Sequence, residues 1–405
     1  MKKFKIAIIA PVPFYYHVPL YKSFGDDSRM ELQVIYCSDE TLKGRDVEKM
    51  YQAKGSIVDK ENLLKGYTYK FLKNYSFMPS FMSWPFGLIN FGIWSEIKSN
   101  KYDAVILQSW TNLTWWIAFI ACLKFKSPVF FMTDSNVLAE SSKPIFKKVI
   151  KRILLGGFLF KKSRGFLTSG TANELFYEYY GVSKDKLARL RFSWGYNEVL
   201  AKAKSFMKNR EKIRNSLGIS KNDFVILYVG RFSHEKSPLT ILQAYDKVNF
   251  KNKKLFLVGD GPQRSEIENT IKKLQLEKVC LVGFKPRNEV FEFYASADVL
   301  ALPSLAETWG IVINEALCFS LPVIASDQVG AAVDLIKEGE NGFIFPVGDY
   351  SKLALYIEKI INAPTRERKE LSKKSLQIIT QWVKNVDPAL QLLNILKIFK
   401  LNLNK

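Results

Sequence analysis

The sequence predicts an α/β protein of two domains built on parallel sheets, and three observations carry that expectation. At 405 residues the chain is too long for one ordinary domain and suits two of about 200 residues each. Short, nearly continuous apolar runs alternate with helix-like stretches, the pattern of parallel strands covered by helices on both faces. The residues that interrupt this pattern, chiefly Gly, Arg, Lys and Glu, fall just after the apolar runs, where an open parallel sheet binds its ligands.

The first run, Lys5–Ala10, follows a basic start. Proline breaks it after six residues and no small-residue cleavage site follows, so it reads as a strand and not as a signal peptide. Further strands are expected at Glu31–Tyr36, Ala104–Gln108, Pro128–Met132 and Gly165–Ser169, with helices near Thr111–Lys124, Lys143–Phe160 and Thr171–Tyr180. Residues 67–94, "YTYKFLKNYSFMPSFMSWPFGLINFGIW", fit neither period. A boundary near Trp194–Lys204 divides the chain into domains expected at 1–197 and 198–379. From Phe224 the texture is regular. The runs "FVILYVG", "KLFLVGD", "VCLVGF", "VLALPS" and "PVIASD" alternate with helices starting near Ser237, Pro262, Arg287, Gly310 and Gly330. Leu371–Lys405 reads as helical, and its end, about 380–405, is expected to pack back on the first domain.

Composition narrows the functional classes. Apolar residues make up 47% of the chain, and Cys37, Cys122, Cys280 and Cys318 show no CxxC spacing, which suits a reducing cytoplasm and no zinc site. No apolar run nears the ~18 residues of a membrane span. The net charge of +21 calls for an anionic partner, and residues 1–197 hold 29 Lys/Arg against 16 Asp/Glu. No helix-turn-helix, zinc-finger or RNA-binding signature accompanies that charge, so nucleic acid is not expected.

The strand ends of the second half carry the chemistry. "GRFSHEKSP" places Gly230, Arg231 and Lys236 just past a strand, where an Arg fork and a Lys point charge suit a diphosphate, or else are two solvated cations. "VGDGPQR" puts Gly259 and Gly261 in a tight turn that lets backbone approach a ligand, without a full G-x-G-x-x-G. In "AETWGIVINEA", Glu307 precedes a helix opened by Thr308, Trp309 and Gly310, whose first N–H groups suit an anion. Glu315 lies about two turns into that helix among apolar neighbours. It suits the diol of a ribose, since an unpaired buried carboxylate is costly; a wet helix face is the plainer alternative. Glu307 suits sugar hydroxyls or, more simply, the helix dipole.

With "VGF", "YASADVLALPS", "PVIASD" and "NGFIFPVGD", these elements resemble glycosyltransferase family 4, retaining enzymes of the GT-B fold, tightly over residues 224–350 and loosely elsewhere. The resemblance implies two Rossmann-like domains facing each other across a cleft, with a nucleotide-sugar donor on the second and the acceptor on the first. It assigns Arg231 and Lys236 to the diphosphate, Glu315 to the ribose and the surroundings of Phe284 and Lys285 to the base. Glu307, Thr308, Trp309, Gly310 and Ile311 would hold the donor sugar. Thr308, Ser320 and Ala331 stand where the family often has glycine, and "PVPFYYHVPLY" replaces a loop that relatives often make glycine-rich.

The chain contains no D-x-D motif, the usual metal–diphosphate handle of the other common glycosyltransferase fold. Transfer is therefore expected to need no metal or other cofactor, with Arg231, Lys236 and the helix start stabilising the leaving diphosphate. Glu307 is the one motif carboxylate placed for a covalent route. In the first domain, His17 and Asp134 follow strands at the sheet edge expected to meet the acceptor. His234 reads as a surface residue.

Residues 141–165 hold eight basic residues and no acid, with Lys147, Lys148, Lys151 and Arg152 interleaved with Ile145, Val149, Ile150, Ile153 and Leu154. Such a helix either lies on anionic lipid or buries its apolar stripe in the domain core. The first alternative, joined to the aromatic stretch Phe77–Trp94, implies peripheral membrane contact through Lys143–Arg164 and a lipid-linked acceptor. The whole reading is a UDP-sugar-dependent enzyme at the inner face of the cell membrane, acting in capsule, O-antigen or exopolysaccharide synthesis. A sugar-nucleotide epimerase of the same architecture and an NAD-dependent oxidoreductase are the alternatives.

Overall fold

The computed structural model describes residues 3–43, 63–141, 144–191, 195–384 and 386–401. Lys143, Trp194 and residues 402–405, which figure in the expectations above, lie outside them. The chain forms two compact units, the second made of Gly195–Lys384 and the first of the chain on either side of it.

Unit 1 is a seven-stranded sheet in the order β3-β2-β1-β4-β5-β6-β7. Its strands are β1 (Phe4–Ala10), β2 (Met30–Tyr36), β3 (Tyr69–Phe71), β4 (Ala104–Leu107), β5 (Val129–Phe131), β6 (Gly165–Thr168) and β7 (Leu187–Arg189). All pair in parallel. The central strands are fully buried from Ile6 to Ala10 and from Ala104 to Leu107, which is why they read as unbroken apolar runs. The three-residue edge strands β3 and β7 are half-wet and give no such run. In the unassigned aromatic stretch, β3 starts the segment, and a helix at Gly92–Ser99 follows it.

The basic stretch forms an α-helix at Ile145–Lys151 that continues as a wider, π-type helix at Arg152–Phe160. Its apolar stripe is not in the core. Ile145, Phe146, Ile150 and Ile153 are 79%, 62%, 52% and 65% exposed, and burial begins only at Leu155, Leu159 and Phe160. The buried-stripe alternative is thus corrected, because the same amphipathic period serves a face turned away from the domain.

Unit 2 is a six-stranded parallel sheet in the order β10-β9-β8-β11-β12-β13. Its strands are β8 (Phe224–Val229), β9 (Lys253–Val258), β10 (Val279–Gly283), β11 (Val299–Leu302), β12 (Val323–Ser326) and β13 (Gly342–Phe345). The chain runs outward from β8 through β9 to β10, then crosses back to β11 on the other side of β8. That reversal between β8 and β11 opens a crevice at their carboxyl ends, the topological switch point.

The helical chain end is in two pieces. Helix Thr365–Val383 belongs to unit 2, and helix Pro388–Leu401 returns to unit 1. Asp387 starts the second helix by accepting from the Ala389 and Leu390 N–H groups at 2.9 and 3.2 Å, with proline next to it. Phe399 packs edge-on against Phe130 with centroids 5.5 Å apart, and the Arg164 guanidinium donates to its carbonyl.

Candidate functional site

The strand-end loops of unit 2 are joined to one another by backbone hydrogen bonds. Phe232 N–H donates to Asp260 O at 3.0 Å and Gln263 N–H to Phe232 O at 2.9 Å, which joins the loops after β8 and β9. Gly259 N–H donates to Gly283 O at 2.9 Å, joining β9 to β10. Leu305 N–H donates to Glu235 O at 2.8 Å, bringing the loop after β11 onto the loop after β8. Gly330 N–H to Glu307 O (3.1 Å) and Ala331 N–H to Trp309 O (2.8 Å) add the loop after β12. Each bond is worth only about 1 kcal/mol net, but together they fix five loops as one surface.

Arg231 and Lys236 stand at the switch point. Arg231 is half-buried, and its Nε is buried with no hydrogen-bond partner among the described residues. Guanidinium N–H groups are donors only, so this one is directed at an acceptor the protein does not supply. The Tyr228 hydroxyl holds the same loop by donating to the Arg231 carbonyl at 3.0 Å. Lys236 pairs with the Glu307 carboxylate, the two side chains being 24% and 15% exposed. His234 is exposed.

Gly310 precedes helix Ile311–Cys318 at φ +96°, and no side chain caps that helix. A Cβ there would lie 2.9 Å from Val329 Cγ1 and 3.3 Å from Glu307 Cγ, so glycine is required by both conformation and space. Thr308 is exposed. Trp309 is buried: its indole donates to Asn314 Oδ1 at 2.9 Å and its ring lies 5.8 Å from that of Trp382. Trp309 therefore positions the loop from beneath.

Glu315 is 7% exposed, as its apolar neighbours suggest, but its charge has protein partners. Arg287 Nε donates to Oε1 at 2.7 Å and the Tyr294 hydroxyl to Oε2 at 3.1 Å. The argument that a buried carboxylate here must face a ligand is corrected on that point. Each oxygen retains a further lone pair, so a diol would share Glu315 with Arg287. The sequence reading placed Arg287 at a helix start and Tyr294 at the head of "YASADVLALPS" but gave neither a role at the site, because they lie on another helix, Arg287–Ser296, and spacing does not show that it packs against Glu315. Phe284 is 41% exposed, and Lys285 pairs with Glu289 at 3.0 Å.

In unit 1 the order reverses between β1 and β4, so the segments after them meet at one edge. His17 is buried among aromatic rings, its centroid 4.5 Å from that of Tyr16 and 5.7 Å from that of Tyr21. Desolvation lowers its pKa to about 3, so the imidazole is neutral near pH 7. Asp134, after β5, forms no ion pair among the described residues, and desolvation raises its carboxyl to about 6. Burial raises the Tyr21 phenol well above its usual range; the Gln108 amide lies beside it and Asp134 is near enough to act on its charge. The buried amide atoms of Gln108 lack hydrogen bonds of good geometry among the described residues, a polar feature that sequence reading missed.

Among the described residues, no three His, Cys, Asp or Glu side chains are grouped to hold a metal ion. Residues 209–377 match the family model described as Glycosyl transferases group 1. The chain is 30% identical over 151 residues to N-acetyl-alpha-D-glucosaminyl L-malate synthase of Bacillus anthracis, covering 37% of this chain and 39% of that protein. Over 291 residues it is 28% identical to a Campylobacter jejuni protein, covering 71% and 72% of the two chains. That protein is named GalNAc-alpha-(1->4)-GalNAc-alpha-(1->3)-diNAcBac-PP-undecaprenol alpha-1,4-N-acetyl-D-galactosaminyltransferase. The matches to several curated relatives span only between a third and two fifths of their lengths (33%, 36% and 39%). In three dimensions the chain resembles Anabaena Alr3699/HepE in complex with UDP, with a TM-score of 0.75 at 17% identity, covering 97% and 100% of the chains. The chain has the GT-B fold, and its second unit carries the match to glycosyl transferases group 1.

Proposed function

We propose that this chain is a retaining glycosyltransferase of family 4 that transfers a sugar from a nucleotide-sugar donor, favouring UDP, to a glycan acceptor. The observation that carries the reading is the surface of five joined loops, with a buried Arg231 Nε that no described residue accepts from and the Gly310 helix start at the switch point. Arg231 and Lys236 meet the donor diphosphate, and the Glu307 carboxylate with the backbone of Thr308, Trp309, Gly310 and Ile311 meets the sugar. Gly230, Gly259 and Gly261 let backbone come close, Glu315 takes the ribose and the base lies by Phe284 and Lys285. The complex of the Anabaena protein with UDP supports the choice of base.

The bond from the anomeric carbon to the diphosphate breaks as the acceptor oxygen bonds on the same face, and the departing phosphate oxygen takes the acceptor's proton. Protein cations offset the developing charge, so no metal is invoked. Unit 1 binds the acceptor, with His17 shaping the site as a neutral imidazole and Asp134 in contact with the acceptor. A lipid-linked acceptor fits the name of the Campylobacter relative, and synthesis of capsule, O-antigen or exopolysaccharide fits such an acceptor. Anionic lipid at the inner face of the cell membrane meets the exposed helix at residues 145–160.

A thermal-shift panel of UDP-, GDP- and ADP-sugars tests donor binding. A ligand at a hundred times its Kd adds about 2.7 kcal/mol of stability, and the absence of a shift with every nucleotide sugar overturns the reading. The anomeric configuration of the product, read by NMR, separates retention from inversion, and an epimerase would turn over without any acceptor.

Asp134 gives a signed pH prediction. Its carboxyl holds a proton up to about pH 6, and only the carboxylate accepts a hydrogen bond through both oxygens from the acceptor hydroxyl it orients, so turnover is expected to climb as pH rises through 6 and then level off. Asp134→Asn should lose about 10²-fold in kcat and remove that inflection while leaving the nucleotide-induced thermal shift intact. An unchanged inflection in the variant assigns the titration to another group.

A further inference from the structure

We propose that unit 1 docks on an anionic bilayer through two parts, the basic helix at residues 145–160 and an aromatic loop at residues 73–91, and that the loop is the inserting part. For the helix this rests on the membrane reading above; for the loop it stands on separate observations.

Phe77, Met82 and Trp84 are 75%, 65% and 71% exposed, and Tyr75, Met78 and Phe86 about half exposed. Soluble surfaces seldom gather so many large apolar groups in one short segment. The backbone beneath them is anchored. Leu113 N–H donates to Pro85 O at 3.0 Å and Thr114 N–H to Leu88 O at 3.2 Å. Leu88 N–H donates to Asn112 Oδ1 at 3.2 Å, and Ile89 N–H to Asn74 Oδ1 at 2.9 Å. The loop is thus held on the start of helix Leu113–Phe125 while its side chains face outward.

That helix links the two parts. Trp116, Ile120 and Leu123 lie on one face of it, the last two 48% and 38% exposed. Beside that face Phe119 packs edge-on against Phe158, with centroids 5.6 Å apart. Lys151 Nζ sits 4.7 Å over the Trp110 ring, whose carbonyl takes the Trp116 indole N–H at 3.0 Å. The exposed apolar surface therefore runs from the loop to the basic helix.

Charge selects the occupant. Residues 65–95 and 141–165 contain no Asp or Glu. The acids that reach them from outside, Glu40, Glu96 and Glu140, are engaged with Phe81 N–H, Lys70 and Lys151, and the outward charge of the helix is carried by Lys147, Lys148 and Arg152. Two copies of this face would repel one another, whereas anionic headgroups complement it. The lysines supply salt-sensitive attraction. Trp84 and Phe77 supply salt-resistant insertion at the headgroup level, where aromatic rings are favoured. No helix among the described residues is long and apolar enough to cross a membrane.

The test is flotation of the full chain on phosphatidylglycerol-containing and pure phosphatidylcholine vesicles at low and high salt. The parent, Phe77→Ser/Trp84→Ser and Lys147→Gln/Lys148→Gln are compared, with unfolding midpoints as a fold control. The aromatic variant is expected to lose at least tenfold in partitioning and all of the salt-resistant part. The lysine variant loses only the salt-sensitive part. Quenching of tryptophan fluorescence by brominated lipid should fall in Trp84→Phe. An aromatic variant that floats like the parent overturns the inserting loop while leaving the helix reading standing. A lysine variant that floats like the parent, beside a failing aromatic one, overturns the helix part alone. A parent that binds no vesicle overturns both, as does a shift from dimer to monomer in the aromatic variant without lipid.

Discussion

Arg231→Ala is expected to lower kcat by about 10²–10³-fold in a nucleotide-sugar transfer assay, with little change in the unfolding midpoint. The size follows from where charge develops. As the bond to the sugar breaks, negative charge grows on the diphosphate, and a fixed guanidinium in a half-buried setting acts more strongly on it than on the ground state. Arg231 Nε makes no hydrogen bond among the described residues and the nearby Glu235 carboxylate acts on the guanidinium only through charge, so its removal costs the fold little. Lys236 differs, because its ammonium is paired with Glu307. Lys236→Ala leaves that carboxylate without its cation beside an anionic ligand, so donor affinity should fall along with kcat. Because Lys236 and Glu307 share one contact, Lys236→Ala/Glu307→Ala should be less impaired than the sum of the single losses. If Arg231→Ala stays within about threefold of the parent, the diphosphate lies elsewhere.

Much of unit 2 was legible because physics leaves a parallel sheet few alternatives. Strands buried on both faces must be apolar throughout, so β8, β9, β11 and β12 stand out, and Arg231, Lys236 and Glu307 stand out at their ends. Unbroken runs do not disclose spatial order, and the backbone hydrogen bonds between loops had to be seen. The partner of Glu315 was not legible because Arg287 lies on a different helix. The edge strands β3 and β7, three residues each, are too short and too wet to leave a period. Helix Ile145–Lys151 shows a further limit: amphipathic spacing marks an apolar face but not what that face meets. The neutral setting of His17 and the raised carboxyl of Asp134 depend on burial, which single-sequence spacing at a loop does not report.

Gly259→Ala should be the most damaging single methyl group in unit 2's ligand surface. Gly259 has φ +143°, and a Cβ there would lie 1.9 Å from the Gly230 carbonyl oxygen. Both atoms belong to rigid backbone, so no rotamer change relieves the overlap, and the exits of β8 and β9 must move apart. That movement loosens the bonds from Phe232 to Asp260 and from Gly259 to Gly283, and it shifts Arg231, one residue from the clash. A stability loss of about 4 kcal/mol or more in urea unfolding is expected, together with loss of the nucleotide-induced thermal shift. Gly339→Ala separates clash from conformation. Its φ is also positive, at +74°, but nothing lies within 4 Å of the added methyl group. There only the left-handed backbone is penalised, by about 1 kcal/mol, and the ligand surface is untouched. If Gly259→Ala behaves like Gly339→Ala and still binds a nucleotide sugar, the close approach of the two loops is not what shapes the site.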